Sequence, residues 1–294
     1  MKRYQALQRW LSLLYVLPFV LIISVFILKP VTDIFYSSLF IKKLDGTMIY
    51  IGLKNFTDIF SKAYFGQIVS NTLLWVVTTV FFKNLFGLLL ALIMNKNFRG
   101  RKCLQLMALL PWATPWMIST IIFKWFFDGL YGYLNSFLYT AGFIVKPVDW
   151  LSNPNFAIWA VIIVNVWTAI PFCGFVYLAA LNSIPNHLYE AAKLDGAGAG
   201  QTFLYVTFPQ ILPTVQLLTV LVTIWGINSF DMIYTMTDGG PVNASETLVT
   251  YLYRLGFKLQ NIGQANALSV TVFLVMLVLV VLYFKMRRIN DEHA

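Results

Sequence analysis

The polar positions of this 294-residue chain are few and clustered, and six long apolar stretches run between them. They cover residues 11–28, 71–94, 104–123, 156–181, 211–230 and 265–284. At a rise of about 1.5 Å per residue, about 20 helical residues cross the hydrocarbon core of a bilayer. Lipid offers no partner to a free N–H or C=O, so each span is predicted to be helical. The expected fold class is all-α: a polytopic membrane protein with six transmembrane helices in a single membrane domain, residues 1–294.

Composition agrees with the pattern. Hydrophobic residues make up 59% of the chain and charged ones 11%, with a mean hydropathy of +0.72. Soluble domains carry about 25% charge, and this much apolar side chain cannot be hidden in one soluble core. The 25 Phe, 15 Tyr and 9 Trp suit aromatic belts at the two interfaces. The first apolar stretch could pass for a signal peptide. It is as long as a span, however, and ILKPV after it is no small-residue cleavage site, so an uncleaved first helix is expected.

The net charge of +9 falls mainly beside the spans, where Lys and Arg meet anionic lipid headgroups. No basic groove or stacking platform points to nucleic acid. Cys103 and Cys173 lie in apolar stretches, and His187 and His293 have no metal-ligand company. Neither a metal site nor a catalytic nucleophile–base pair is expected.

Basic residues also orient the chain. With the N-terminus inside, the short inner segments hold Lys2, Arg3, Arg9, Lys96, Arg99, Arg101, Lys102, Lys193, Lys285, Arg287 and Arg288. Nine basic residues then lie outside, over about twice as much chain, which favours this direction. Both termini are expected to be cytoplasmic. So is the loop of residues 182–210, the largest inner surface.

That loop has an unusual composition. In NSIPNHLYEAAKLDGAGAGQTF, Pro185 suits a first helical turn and Asn186 a cap. Leu188, Ala191, Ala192 and Leu194 supply a small-faced helix, and Gly196, Gly198 and Gly200 break it and allow positive φ. Phe203, Val206 and Phe208 follow at helical spacing, and Pro209 and Pro213 mark the return to the membrane. Two short helices at an angle are expected. Alanines would let another surface approach closely, and Glu190 and Asp195 would offer charged handles to a basic partner. An ordinary solvated loop ending in an interfacial helix would have the same pattern.

The spacing Glu190-Ala191-Ala192, Gly196, Val206, Phe208-Pro209 resembles the signature of bacterial ABC importer permeases. Val206 stands where Ile is usual and Phe208 where Leu is usual. The longer stretch YEAAKLDGAGAGQTFLYVTFPQILP is similar to the carbohydrate-uptake branch of binding-protein-dependent permeases, the maltose and glycerol-phosphate type. LLPWATPWMISTIIFKWFF (109–127), NVWTAIPF (165–172) and TDGGPVNASETLVTYLYRLGF (237–257) agree, so the resemblance runs along nearly the whole chain.

The resemblance implies a type I ABC importer permease fold in a bacterial cytoplasmic (inner) membrane. Glu190, Ala191, Ala192, Asp195 and Gly196 would form a coupling helix seated on a cytosolic ATPase. The implied partners are a second homologous permease subunit, two ATPase subunits, an extracytoplasmic solute-binding protein and a sugar. The chain has no Gly-x4-Gly-Lys-Ser/Thr phosphate loop. No cofactor is therefore expected on it, and ATP and Mg would belong to the ATPase subunits. TDGGP and the outer loop after the fifth span resemble the first permease of a maltose-type pair.

Three segments could supply a transport path. In PWATPW, two prolines free backbone groups inside a span, which is tolerated where they line protein or a cavity, and Trp112 and Trp116 share a face. In WTAIPF, Pro171 can open space around Thr168, Ala169 and Phe172. In WGINSF, Trp225, Asn228 and Ser229 bring polar groups into a span. The resemblance implies that the matching stretches line a central cavity, while packing or interfacial anchoring is the plainer role for each residue. Lys83 falls near the centre of the second span. Three roles stay open for it: facing the pore and attracting an anionic sugar or phosphate, pairing with a partner-subunit carboxylate, or snorkelling. Two rival classes predict other patterns. An ion-gradient-driven secondary transporter would carry ionisable residues in several spans, and a membrane enzyme would cluster His, Asp or Glu at one interface.

Overall fold

The computed structural model describes residues 15–43 and 45–292, and describes side chains through residue 285 of the last helix. Helix α1 (Tyr15–Ser37) is followed by strands β1 (Phe40–Lys42) and β2 (Met48–Tyr50) and by α2 (Lys54–Phe60). Next come α3 (Phe65–Asn95), α4 (Arg101–Ala113), α5 (Trp116–Phe126), α6 (Tyr133–Thr140) and α7 (Ala157–Asn182). Helix α8 (Asn186–Leu194) leads to α9 (Ala199–Ile227), α10 (Asp231–Thr237), α11 (Leu248–Tyr253) and α12 (Ile262–Glu292). Among the described residues, α1, α3, α7, α9 and α12 are long and apolar enough to cross a membrane, and the bent pair α4–α5 makes a sixth. The all-α expectation is met, with one small two-stranded sheet that the hydropathy pattern had not predicted.

The described residues group into two compact units, one of residues up to 65 with 252–279, the other of 66–251 with those from 280 on. In the first, β1 and β2 form an antiparallel hairpin with Phe40 opposite Tyr50 and Lys42 opposite Met48. Its sequence signal is Asp45-Gly46 between two β-prone triplets. Asp45 Oδ1 accepts hydrogen bonds from the Thr47 backbone N–H at 2.9 Å and from its hydroxyl at 2.6 Å. Buried Asn55 donates to the carbonyls of Ser38 and Phe40 at 2.7 and 2.9 Å. Gly263 packs there too, where a Cβ would fall 2.5 Å from the Phe40 carbonyl oxygen.

The second unit is built on α3 and α7. On α3 the residues Ile68, Thr72, Trp75, Thr79, Lys83, Gly87, Ala91 and Met94 are buried, a single stripe at steps of three and four. Helix α7 is buried on nearly every side. The two helices cross at Gly87, where a Cβ would fall 2.5 Å from that of Cys173. Two apolar clusters stack along this pair. One joins Trp75, Val161, Val164 and Ile233, and the other joins Ala91, Cys173, Tyr177, Ile211 and Leu218. One polar pair inside the spans is satisfied within the bundle: Asn84 donates to the Val80 carbonyl at 2.8 Å and accepts from the Tyr177 hydroxyl.

The prolines behave differently from one another. The third predicted span, 104–123, is not continuous. Thr114 is extended, with φ −76° and ψ 126°, and α4 and α5 meet at 91°. The residue before a proline is pushed out of the helical region, and Pro115 has no N–H to continue the ladder. Pro209 and Pro213, expected to mark the return to the membrane, do not start the helix. Helix α9 passes both and begins at Ala199, twelve residues before the predicted start at 211. A wide, five-residue turn at Phe203–Thr207 precedes Pro209. Tyr205, whose carbonyl Pro209 would have served, lies inside it, so the missing N–H costs little there. Pro30 follows the wide turn Ser24–Leu28 in the same way, and α1 continues to Ser37 instead of ending at 28. Residues 11–14 of the first predicted span lie outside the described residues.

Candidate functional site

A cavity of about 390 Å³ opens in the second unit where Thr114 and Pro115 break the helix. Lys83 of α3, the segment Pro111–Trp116, Asn165, Thr168, Ala169 and Phe172 of α7, and Trp225 of α9 line it. It lies between the two apolar clusters, since Trp75 and Val166 belong to one and Ala91 and Cys173 to the other. Its size falls within the roughly 300–1,000 Å³ of small-ligand sites.

Three aromatic rings form one wall. Phe172 lies 6.3 Å from Trp112 and 5.0 Å from Trp225, centroid to centroid. Trp112 and Trp225 remain 56% and 46% exposed, so the wall presents open faces. The Trp75 indole donates to the Gly226 carbonyl at 3.0 Å and so fixes the α9 end that carries Trp225. Pro171 removes one ladder bond of α7 beside Thr168. The Thr168 hydroxyl donates to the Asn165 carbonyl at 3.0 Å.

Two polar groups of the cavity are conspicuous. Lys83 is 3% exposed, and among the described residues none pairs with its ammonium. A charge in mid-span costs on the order of 3 kcal/mol or more, and a snorkelling lysine would carry it out to the interface. Asn165 is 9% exposed; its Nδ2 lies 3.4 Å from the Met232 sulfur, and its Oδ1 is buried with no partner. Asn165 was not singled out in the sequence, although an Asn inside an apolar span, six residues before Pro171, is the signal that could have found it. Of the path residues expected from sequence, Lys83, Trp112, Trp116, Thr168, Ala169, Phe172 and Trp225 meet in this cavity. Asn228 and Ser229 do not line it. Asn228 is exposed and its amide donates to the Ile224 carbonyl at 2.8 Å, folding back on its own helix end.

The second candidate region joins α8 to α9. The expected cap is corrected: Pro185 occupies the capping position with φ −62° and ψ 134°, and Asn186 is the first helical residue. Of the three glycines only Gly196 has positive φ, at +74°. Gly198 is extended and occupies the N-capping position of α9, while Gly200 is helical. The Gly196 turn is closed by the Ala197 N–H donating to the Ala192 carbonyl at 2.9 Å. Leu188 and Tyr189 pack on the second apolar cluster, and the Tyr189 hydroxyl lies 3.3 Å from that of Thr207. Ala192 also faces inward, at 8% exposure, so it packs on this chain. Glu190, Ala191, Asp195 and Gly196 are exposed together with Leu194.

The chain resembles known proteins over nearly its full length. Residues 83–293 match the family described as "Binding-protein-dependent transport system inner membrane component". The sulfoquinovosyl glycerol transport system permease protein SmoG of Agrobacterium fabrum is 33% identical, over 96% of this chain and 92% of that one. The trehalose/maltose transport system permease protein MalF of Thermococcus litoralis is 33% identical, over 96% and 95%. A solved bacterial alginate ABC transporter, in complex with an alginate pentasaccharide-bound periplasmic protein, has a chain that superposes with a TM-score of 0.85. That chain is 28% identical, over 98% of both.

Proposed function

The chain belongs to the family of binding-protein-dependent transport system inner membrane components, and from that premise we propose that it is one transmembrane half of an ATP-driven carbohydrate importer. The observation that carries this is the cavity at the broken α4–α5 span. Its aromatic wall suits the C–H faces of a sugar ring, and its few convergent polar groups suit hydroxyls. Relatives whose names concern trehalose, maltose, sulfoquinovosyl glycerol and alginate support the same class. The open faces of Trp112 and Trp225 support a second permease subunit that closes the path.

Coupling to a cytosolic ATPase runs through α8. A push on its exposed face passes through Leu188 and Tyr189 into the bundle and through the Gly196 turn into α9. Helix α9 is 29 residues long, a rod of roughly 43 Å, and carries Trp225 near its far end. Motion at one end is thereby delivered to the cavity wall at the other. ATP and Mg are held by the ATPase subunits, and an extracytoplasmic binding protein delivers the sugar.

Mild solubilisation of the tagged chain from its native membrane tests this. An ATPase and a second six-span chain should copurify. A chain that emerges alone and carries solute down an ion gradient would overturn the importer reading.

A further inference from the structure

We propose that the carbohydrate carried through this cavity bears an acid group, with Lys83 as its counter-ion; this rests on the carbohydrate reading above. Lys83 sits on the buried stripe of α3, one turn from Thr79 and one from Gly87. Packing alone would be served by an apolar side chain at that position. Lys83 lines the cavity, and no described residue neutralises it. A buried charge without a partner is costly. A carboxylate, sulfonate or phosphate ester entering the cavity would supply the missing charge through a charge-assisted hydrogen bond.

The rest of the wall specifies what carries that acid. Asn165 and Thr168 bring an amide and a hydroxyl side chain to the lining. Such groups suit sugar hydroxyls, which both donate and accept. The rings of Trp112, Phe172 and Trp225 offer faces to a pyranose, and inorganic anions gain nothing from such faces. One cation, a few polar side chains and an aromatic wall therefore match a glycoside that bears hydroxyls and at least one acid group. A neutral sugar would leave Lys83 uncompensated.

The test uses the assembled transporter in nanodiscs and follows tryptophan fluorescence at constant ionic strength. The probes are digalacturonate, the neutral galactose disaccharide, and sodium sulfate. In the native complex the acidic disaccharide should bind at least tenfold more tightly than the neutral one. Lys83→Met should bring that ratio close to one, and Lys83→Arg should retain most of it. Equal binding of the two disaccharides by the native complex overturns the proposal and leaves the carbohydrate reading standing. Binding of neither overturns both. An unchanged ratio in Lys83→Met assigns Lys83 to packing or to a carboxylate of the second permease and overturns the proposal. Sulfate competing as well as digalacturonate overturns it in favour of a plain anion site. Should Lys83→Met fail to assemble, the native preference, the sulfate competition and Lys83→Arg decide the matter.

Discussion

The cavity beside Lys83 and the turn at Gly196 lie towards opposite ends of α9 and are built on opposite terms. The turn is contiguous: α8, Gly196 and the start of α9 fall within 17 residues, from Asn186 to Thr202. Most of its outer face is exposed, and its geometry rests on one backbone conformation. The cavity is assembled from four segments spread between Lys83 and Trp225, and its geometry rests on how closely α3 and α7 approach. A local device can be written as a motif. A composite one depends on every helix that positions a wall, so damage to packing far from the ligand reaches it.

Substitutions can separate the two regions. The largest effect is expected for Gly87→Leu, because even a Cβ there would fall 2.5 Å from that of Cys173. Overpacking costs about 1–3 kcal/mol or more. It should lower the thermal unfolding midpoint in detergent and abolish sugar binding and ATPase copurification together; an unchanged midpoint would mean that the crossing is looser than described. Gly196→Val comes next. A residue with a Cβ pays about 1–2 kcal/mol at such a φ, and a β-branched one more. ATPase copurification should fall severalfold while membrane insertion holds and the unfolding midpoint drops by only a few degrees, and full copurification would remove the turn from the coupling path. Trp112→Ala should be the mildest and the converse. Losing an aromatic contact worth about 0.5–1.5 kcal/mol should weaken digalacturonate binding up to about tenfold and leave the ATPase bound. Loss of the ATPase instead would make Trp112 a packing residue.

Much of this architecture was legible along the chain. Residues 156–181 were predicted as a span, and the helix runs Ala157–Asn182, because a run apolar on all sides leaves its ends sharply marked. Boundaries failed where a residue type acts through its surroundings. Pro115 stops a helix, while Pro209, next to a wide turn, is carried inside one. Asn186 was expected to cap α8, but Pro185 already has the extended conformation that the capping position requires. The polar run Ser245–Glu246–Thr247 reads as an exposed loop, yet all three residues are buried. Asn71 on α3 donates to the carbonyls of Asn243 and Glu246 at 2.8 and 3.1 Å and so satisfies the loop backbone from a distant helix.

The sequence by itself determined the number of long apolar segments, the helical class and a glycine break between α8 and α9. Each depends on quantities that add along neighbouring residues: hydropathy, hydrogen-bond supply and the steric cost of a Cβ at positive φ. Only the tertiary structure decided that Lys83 and Asn165 line one cavity and that Asn228 does not. Those outcomes depend on which helix faces meet, and the approach at Gly87 sets that on a scale finer than any spacing along the chain records.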